Sequence, residues 1–282
     1  MSRVSIPRLI EKREKREPIV MVTAYDYPAA RAVERAGVDM VLVGDSGAQV
    51  LLGYASTVEV SVEEMLMMSK AVRRGTESAF MVSDLPFGST EESDVQAVQT
   101  AVRFVREAGV DAVKLEGANE SRLSRIRAIV AAGIPVVGHI GLTPQTATAL
   151  GGLRAQGRTI ESAERLVGEG LAVQAAGAFC LVIEAVPSEV VDVLREALTI
   201  PIIGIGAGKA DGQVLVLHDL LGITEGKTAK FVKTFGTIGD DTVAAIAAYA
   251  DEVRAGSFPA PEHQYPVTPE AVEAARAALL RA

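Results

Sequence analysis

The sequence predicts a single-domain (β/α)8 barrel, on three observations. Short apolar runs alternate with longer amphipathic stretches from residue 18 to residue 256. The runs are apolar at consecutive positions, as in a parallel sheet covered by helices. Seven or eight such units fit a closed barrel better than an open doubly wound sheet, and no GxGxxG follows the first run.

PIVMVTAY (18–25) reads as the first strand, and a helix with a glycine stop follows over 27–37. MVLVGDS (40–46) is the second strand. The helix over 61–75 opens with Ser61 and has Glu64 three residues on, a capping box. Strands over 80–86, 111–117, 135–142, 179–187 and 201–208 are separated by helices over 93–109, 121–133, 159–177 and 188–198. Residues 212–222 are ambiguous, because they alternate like a strand at first and end like a helix. A further helix spans 241–256. VLLGYASTVEV (50–60) is an apolar loop too long for a simple turn and reads as a lid or an interface. The glycines of GIGAG (204–208) fit either a tight turn or a close approach to a ligand.

Composition narrows the function. The chain has 282 residues, 49 % of them hydrophobic, enough for a large core, and a formal charge of −8. No dense basic cluster suggests nucleic acid, and with 4 % aromatics and no Trp a base-stacking platform is not expected. EKREKRE (11–17) alternates in sign and reads as a solvated helix face. The lone cysteine, Cys180, excludes an intramolecular disulfide and a thiolate metal cluster, and reads as a small core residue. No apolar run approaches the roughly 20 residues of a membrane helix, and the first residues do not resemble a leader. The expectation is a soluble, cytoplasmic protein.

Polar residues then appear where the strands end. Asp45 and Ser46 close the second strand, Asp84 the third, Lys114 and Glu116 the fourth, and Glu184 the sixth; His139 lies in the fifth. In a barrel these ends share one face, where active sites form. One at a time, a cap, an ion pair or a core histidine is the simpler reading. Together they form a set. Asp45, Asp84 and Glu116 are hard oxygen donors that suit Mg2+ better than Zn2+. Lys114, two residues from Glu116, leaves the strand on the same side and can clamp a carboxylate or a developing oxyanion. Glu184 is the candidate general base. The set fits proton abstraction next to a carbonyl. His218 and His263 lack this support and read as structural.

At these residues the chain resembles the ketopantoate hydroxymethyltransferase family. The motifs that carry the resemblance include TAYDYPAARAVERAGVD, LVGDSGAQVLLGY, DLPFGS, AVKLEG, GHIGLTPQ, GGLRAQGR, VIEAVP and FPAPEHQY, in that order. The resemblance implies a Mg2+-dependent TIM barrel enzyme. It would transfer a hydroxymethyl group from 5,10-methylenetetrahydrofolate to 3-methyl-2-oxobutanoate, giving 2-dehydropantoate for pantothenate and coenzyme A. It implies a metal site of Asp45, Asp84 and Glu116, keto acid contacts at Asp45, Ser46, Asp84 and Lys114, a further contact at His139, and Glu184 as proton acceptor. It also implies a homo-oligomer, commonly a decamer in the family. The motifs place the barrel domain over 1–265. Residues 266–282 follow it, with Ala, Val and Leu at helical spacing after Pro266 and Pro269, and read as a C-terminal helical extension. The alternatives are a Mg2+-dependent carbon–carbon lyase or mutase of the phosphoenolpyruvate mutase type, and a non-catalytic barrel that binds a keto acid.

Overall fold

The computed structural model describes residues 3–226 and 228–281. Eight strands form the barrel: β1 (Ile19–Thr23), β2 (Met40–Val43), β3 (Phe80–Asp84), β4 (Ala112–Glu116), β5 (Val136–Gly141), β6 (Cys180–Glu184), β7 (Ile202–Ile205) and β8 (Gly212–Leu215). They pair in parallel in sequence order, and β8 closes onto β1. Helix α1 (Ile6–Glu14) precedes the barrel. Helices α2 (Tyr27–Arg35), α3 (Gly47–Val50), α4 (Val62–Gly75), α5 (Asp94–Arg103), α6 (Glu120–Ala131), α7 (Ile160–Ala175), α8 (Ser188–Ala197) and α9 (Leu217–Leu221) lie between or after the strands, with α3 and α4 both after β2 and β7 leading directly to β8. The closed eight-stranded barrel read from the sequence is the fold.

The side-chain period of a strand sorts the residues into two cores. One set of alternate positions, such as Val41, Met81, Val113, Leu115, Leu181 and Ile183, meets the helices. The other set faces the lumen: Ile19, Met21, Met40, Leu42, Phe80, Val82, Ala112, Cys180, Val182, Ile203 and Val214. Continue the inward set toward the C-terminal strand ends and it turns polar, at Thr23, Asp84, Lys114, Glu116, His139 and Glu184. Leu9 of α1, fully buried, joins the lumen cluster and plugs its lower end. On the outer face of β5, Gly138 leaves room for Val173 of α7, which any Cβ there would strike.

Three local readings are refined. The ambiguous 212–222 is both a strand and a helix, β8 then α9, joined where the Leu217 amide donates to Thr23 Oγ1 at 2.8 Å. The helix expected over 93–109 starts beneath Ser93, whose side chain accepts from the Gln96 amide, and becomes π-helical over Phe104–Ala108 before Gly109. The 11–17 run is not purely a solvated face. Arg8, Glu11 and Lys15 pair on the surface, but Lys12 turns to Asp39 (2.6 Å) and Arg13 to Asp211 (3.2 Å), both half-buried.

The chain divides into two compact units, Met1–Phe235 and Gly236–Ala282. The second unit holds α10 (Ile238–Ala255) and α11 (Pro269–Leu279), the latter within the 266–282 extension that the sequence sets apart. In the second unit Tyr249 meets Phe258 edge-on at 5.5 Å, and Thr268 caps α11 by accepting from the Ala271 amide.

Leu9→Ala should destabilise the protein by about 2–5 kcal/mol in urea unfolding, as for a cavity in a core, while Val95→Ala on an exposed face should stay within about 0.5 kcal/mol. Equal effects for the two variants would show that α1 does not plug the barrel.

Candidate active site

A cavity of about 480 Å³ opens among the C-terminal strand ends. Asp45, Ser46, Asp84, Lys114, Glu116, His139 and Glu184 all line it, so every candidate residue from the sequence is brought together. Strand register explains the juxtaposition. Asp84 stands beside Lys114 across β3 and β4, Glu116 beside His139 across β4 and β5, and Glu184 beside Gly141 across β5 and β6.

The floor is a buried charge network. Lys114 Nζ lies 3.0 Å from Asp84 Oδ1, 3.8 Å from Glu116 Oε1 and 3.2 Å from His139 Nδ1. The Asp45 amide donates to Asp84 Oδ2 at 3.0 Å. His139 bridges two acids, with Nδ1 3.2 Å from Glu116 Oε1 and Nε2 3.4 Å from Glu184 Oε2. Ser46 Oγ sits 2.9 Å from the buried Tyr25 hydroxyl.

These contacts set the protonation tendencies. Burial, then repulsion from Asp84 and Glu116, pushes the Asp45 carboxyl well above its ordinary range. Burial alone would lower Lys114, but Asp84, Glu116 and Asp45 more than offset it, and the ammonium is held above its usual value. Burial would raise Glu116, yet His139 and Lys114 hold it below the ordinary carboxylate range. Burial and Lys114 pull His139 down, while Glu116 and Glu184 more than offset them and carry it up to about 9.

The structure adds residues that the sequence did not single out. Gln145, buried in the turn after β5, donates from Nε2 to Asp45 Oδ2 (2.9 Å) and to the Leu85 carbonyl (3.1 Å). Its amide donates to Glu116 Oε2 at 3.0 Å. One residue thus fixes two of the acids. The only sequence signal is Thr-Pro-Gln directly after a strand, a turn signature that says nothing about a side chain's target. Ala185, next after Glu184, adopts φ 51°, a left-handed conformation that costs a non-glycine residue about 1–2 kcal/mol. Its amide donates to the Ile205 carbonyl and its carbonyl accepts from the Gln156 amide, both at 2.9 Å, which pins the end of β6. The 50–60 loop is partly helical, with a Ser56/Glu59 capping box, and Thr57 reaches the cavity wall. His218 does not line the cavity; its ring lies 5.6 Å from that of Tyr25.

The donor set can be tested against a divalent cation. Among the described residues no three His, Cys, Asp or Glu side chains are gathered into a cage for a metal ion. Glu116 is engaged through both oxygens, by His139 and by the Gln145 amide. Asp84 Oδ1 is buried without a hydrogen-bond donor, its Lys114 contact being an ion pair out of hydrogen-bond alignment, and Asp45 lies in an excess of negative charge. This pattern fits Mg2+, which binds through one or two carboxylates and keeps its remaining positions for water and substrate. Among the described residues no helix is long and apolar enough to cross a membrane.

Solved structures share the fold at low identity. Phosphonopyruvate hydrolase, solved in complex with oxalate and Mg2+, superposes with a TM-score of 0.61 at 14 % identity, covering 99 % of this chain and 97 % of that one. A 2,3-dimethylmalate lyase of the PEP mutase/isocitrate lyase superfamily gives 0.60 at 17 %, covering 95 % and 92 %. Sequence relatives are far closer. The 3-methyl-2-oxobutanoate hydroxymethyltransferase of Moorella thermoacetica is 50 % identical over 265 residues, 94 % of this chain and 98 % of that protein. The protein of the same name from Rhodococcus jostii is 54 % identical over 246 residues, covering 87 % and 84 %. The family model described as ketopantoate hydroxymethyltransferase matches residues 3–261, and with that span and this identity the chain belongs to the ketopantoate hydroxymethyltransferase family.

Proposed function

We propose that this transferase moves a hydroxymethyl group from 5,10-methylenetetrahydrofolate to 3-methyl-2-oxobutanoate, giving 2-dehydropantoate on the route to pantothenate. The observation that carries the reading is the arrangement of Glu184 in one cavity with Asp45, Asp84 and Glu116, with His139 bridging Glu184 to Glu116. Asp45 and Asp84 would hold Mg2+ directly, with Glu116 contributing charge behind them. When bound, the ion supplies a Lewis acid beside the carbonyl and carboxylate oxygens of the oxo acid.

The chain's own residues do the rest. Lys114 and Ser46 orient the oxo acid. Glu184 accepts the C3 proton, with His139 Nε2 3.4 Å from its carboxylate. The negative charge that develops on the former carbonyl oxygen is met by the Lys114 ammonium, which is already desolvated and needs no reorganisation. C3 then bonds to the methylene carbon as that carbon's bond to one folate nitrogen breaks, the oxygen of one water replaces the other nitrogen, and the two nitrogens take up the protons from C3 and from the water, giving 2-dehydropantoate and tetrahydrofolate. Leu42, Val182 and Val214 give the lumen below an apolar lining suited to the two methyl groups on C3.

Deuterium exchange at C3 of 3-methyl-2-oxobutanoate, in heavy water with Mg2+ and without folate, isolates the first step. Wild type should exchange, EDTA should stop it and excess Mg2+ restore it. Glu184→Gln should slow it by about 10²–10⁴-fold, the usual contribution of a general base. Full-rate exchange in that variant would remove Glu184 from the role.

Gln145→Met keeps the side-chain volume and removes the donor to Asp45. Loss of such a supporting contact typically weakens a metal by about 10–100-fold, so Mn2+ affinity by electron paramagnetic resonance should fall by that factor. Unchanged affinity would mean that Asp45 needs no positioning.

A further inference from the structure

The cavity is larger than a five-carbon oxo acid requires, and its outer wall differs from its floor. The floor carries the acids of β2 to β4. The wall adds Leu153 and Arg154 from the segment after β5, and Lys230 and Phe231 from the segment after α9. Among the described residues neither Arg154 nor Lys230 forms an ion pair, whereas Lys114 deeper in the cavity is fully engaged with acids.

Both wall segments are held in place. The first is tied by the Gln156 amide to the Ala185 carbonyl at 2.9 Å, two residues beyond Arg154 and directly beside Glu184. The second is seated by Phe231 against Gly206, at φ 62°, where any Cβ would strike the ring, and by the Phe235 amide on the Leu220 carbonyl at 2.8 Å. Leu153 is 71 % exposed, a large apolar side chain at the mouth of a cavity whose walls are mostly apolar above and beside the charged floor. These residues match a ligand with an extended aromatic body and an anionic far end. Such an end is repelled by the floor acids and by the chain's net charge of −8, so a local cation is needed where it comes to rest.

We infer that Arg154 and Lys230 form an anion-binding rim for the glutamate carboxylates of the folate co-substrate, with Leu153 and Phe231 supporting its ring-bearing part. The inference rests on the transfer reaction proposed above and goes further by placing the second substrate. The rim contributes to binding and not to proton abstraction.

The test compares wild type, Arg154→Met, Lys230→Met and the double variant. Each is assayed with 5,10-methylenetetrahydrofolate bearing one glutamate, the same compound bearing several, and 5,10-methylenetetrahydropteroate, which has none. Folate-free exchange of the C3 proton is read alongside. KM for the glutamate-bearing compounds should rise about fivefold in each single variant and about twentyfold in the double, the range of exposed ion pairs. KM for the pteroate compound and the exchange rate should not move. A KM for the pteroate compound that rises as much as the others, or glutamate-dependent KM values that do not change, would overturn the rim. A wild type that neither exchanges nor forms product would overturn the transfer reading and the rim with it. Normal exchange and product formation with unmoved KM values would sink the rim alone.

Discussion

The Lys114 ammonium lies within 3.0 Å of Asp84 and 3.8 Å of Glu116 in a fully buried position, and the mouth of the barrel depends on it. Asp45, Asp84 and Glu116 come from three neighbouring strands and are each at most 5 % exposed. Acids packed so closely out of water would leave uncompensated charge, which costs several kcal/mol per ion in a folded interior. Lys114 supplies a compensating cation from the same strand as Glu116, at a spacing that sends both side chains inward. His139, drawn upward by Glu116 and Glu184, stands between two of the acids. Asp45 is left in the remaining excess of negative charge, which a divalent cation would offset.

The apolar layers beneath give that network its strength. Leu42, Val82, Ala112, Val182 and Val214 fill the lumen under the charged residues, so the charges interact across a medium of low dielectric constant. The same strands thus build the core and aim the chemistry, through a change of residue type along one line of inward positions. The fold neighbours among the lyases and phosphonate enzymes share this scaffold at 14–18 % identity, which speaks to architecture alone. The assignment to a transferase family comes from relatives at about half identity across the chain.

The barrel was legible in the sequence because its strands are short, uniformly apolar and followed by helices with strong caps, as at Ser61 and Ser93. The floor residues were legible because Asp84, Lys114, Glu116 and Glu184 each interrupt such a run at its end, where the side-chain period fixes their direction. Gln145 was not legible. It lies outside any periodic element, and its targets are 100 and 29 residues away along the chain. Ala185 was hidden for another reason, since nothing about an alanine announces a positive φ. The mixed charges of 11–17 misled because their local spacing suits a surface helix, while the partners of Lys12 and Arg13 come from distant strand-flanking turns. The π-helical turn at Phe104–Ala108 likewise depends on packing that no local pattern carries.

The lumen is packed with strand side chains, with Leu9 covering its lower end, so the barrel is a well that opens at its C-terminal mouth. A well with one opening is filled from the bottom upward. In the proposed reaction, with both substrates entering by this mouth, the small oxo acid settles on the floor before the larger folate covers it, and the folate departs before the lengthened acid rises. On that reading, the order of entry and exit follows from a packed lumen that leaves the substrates a single way in.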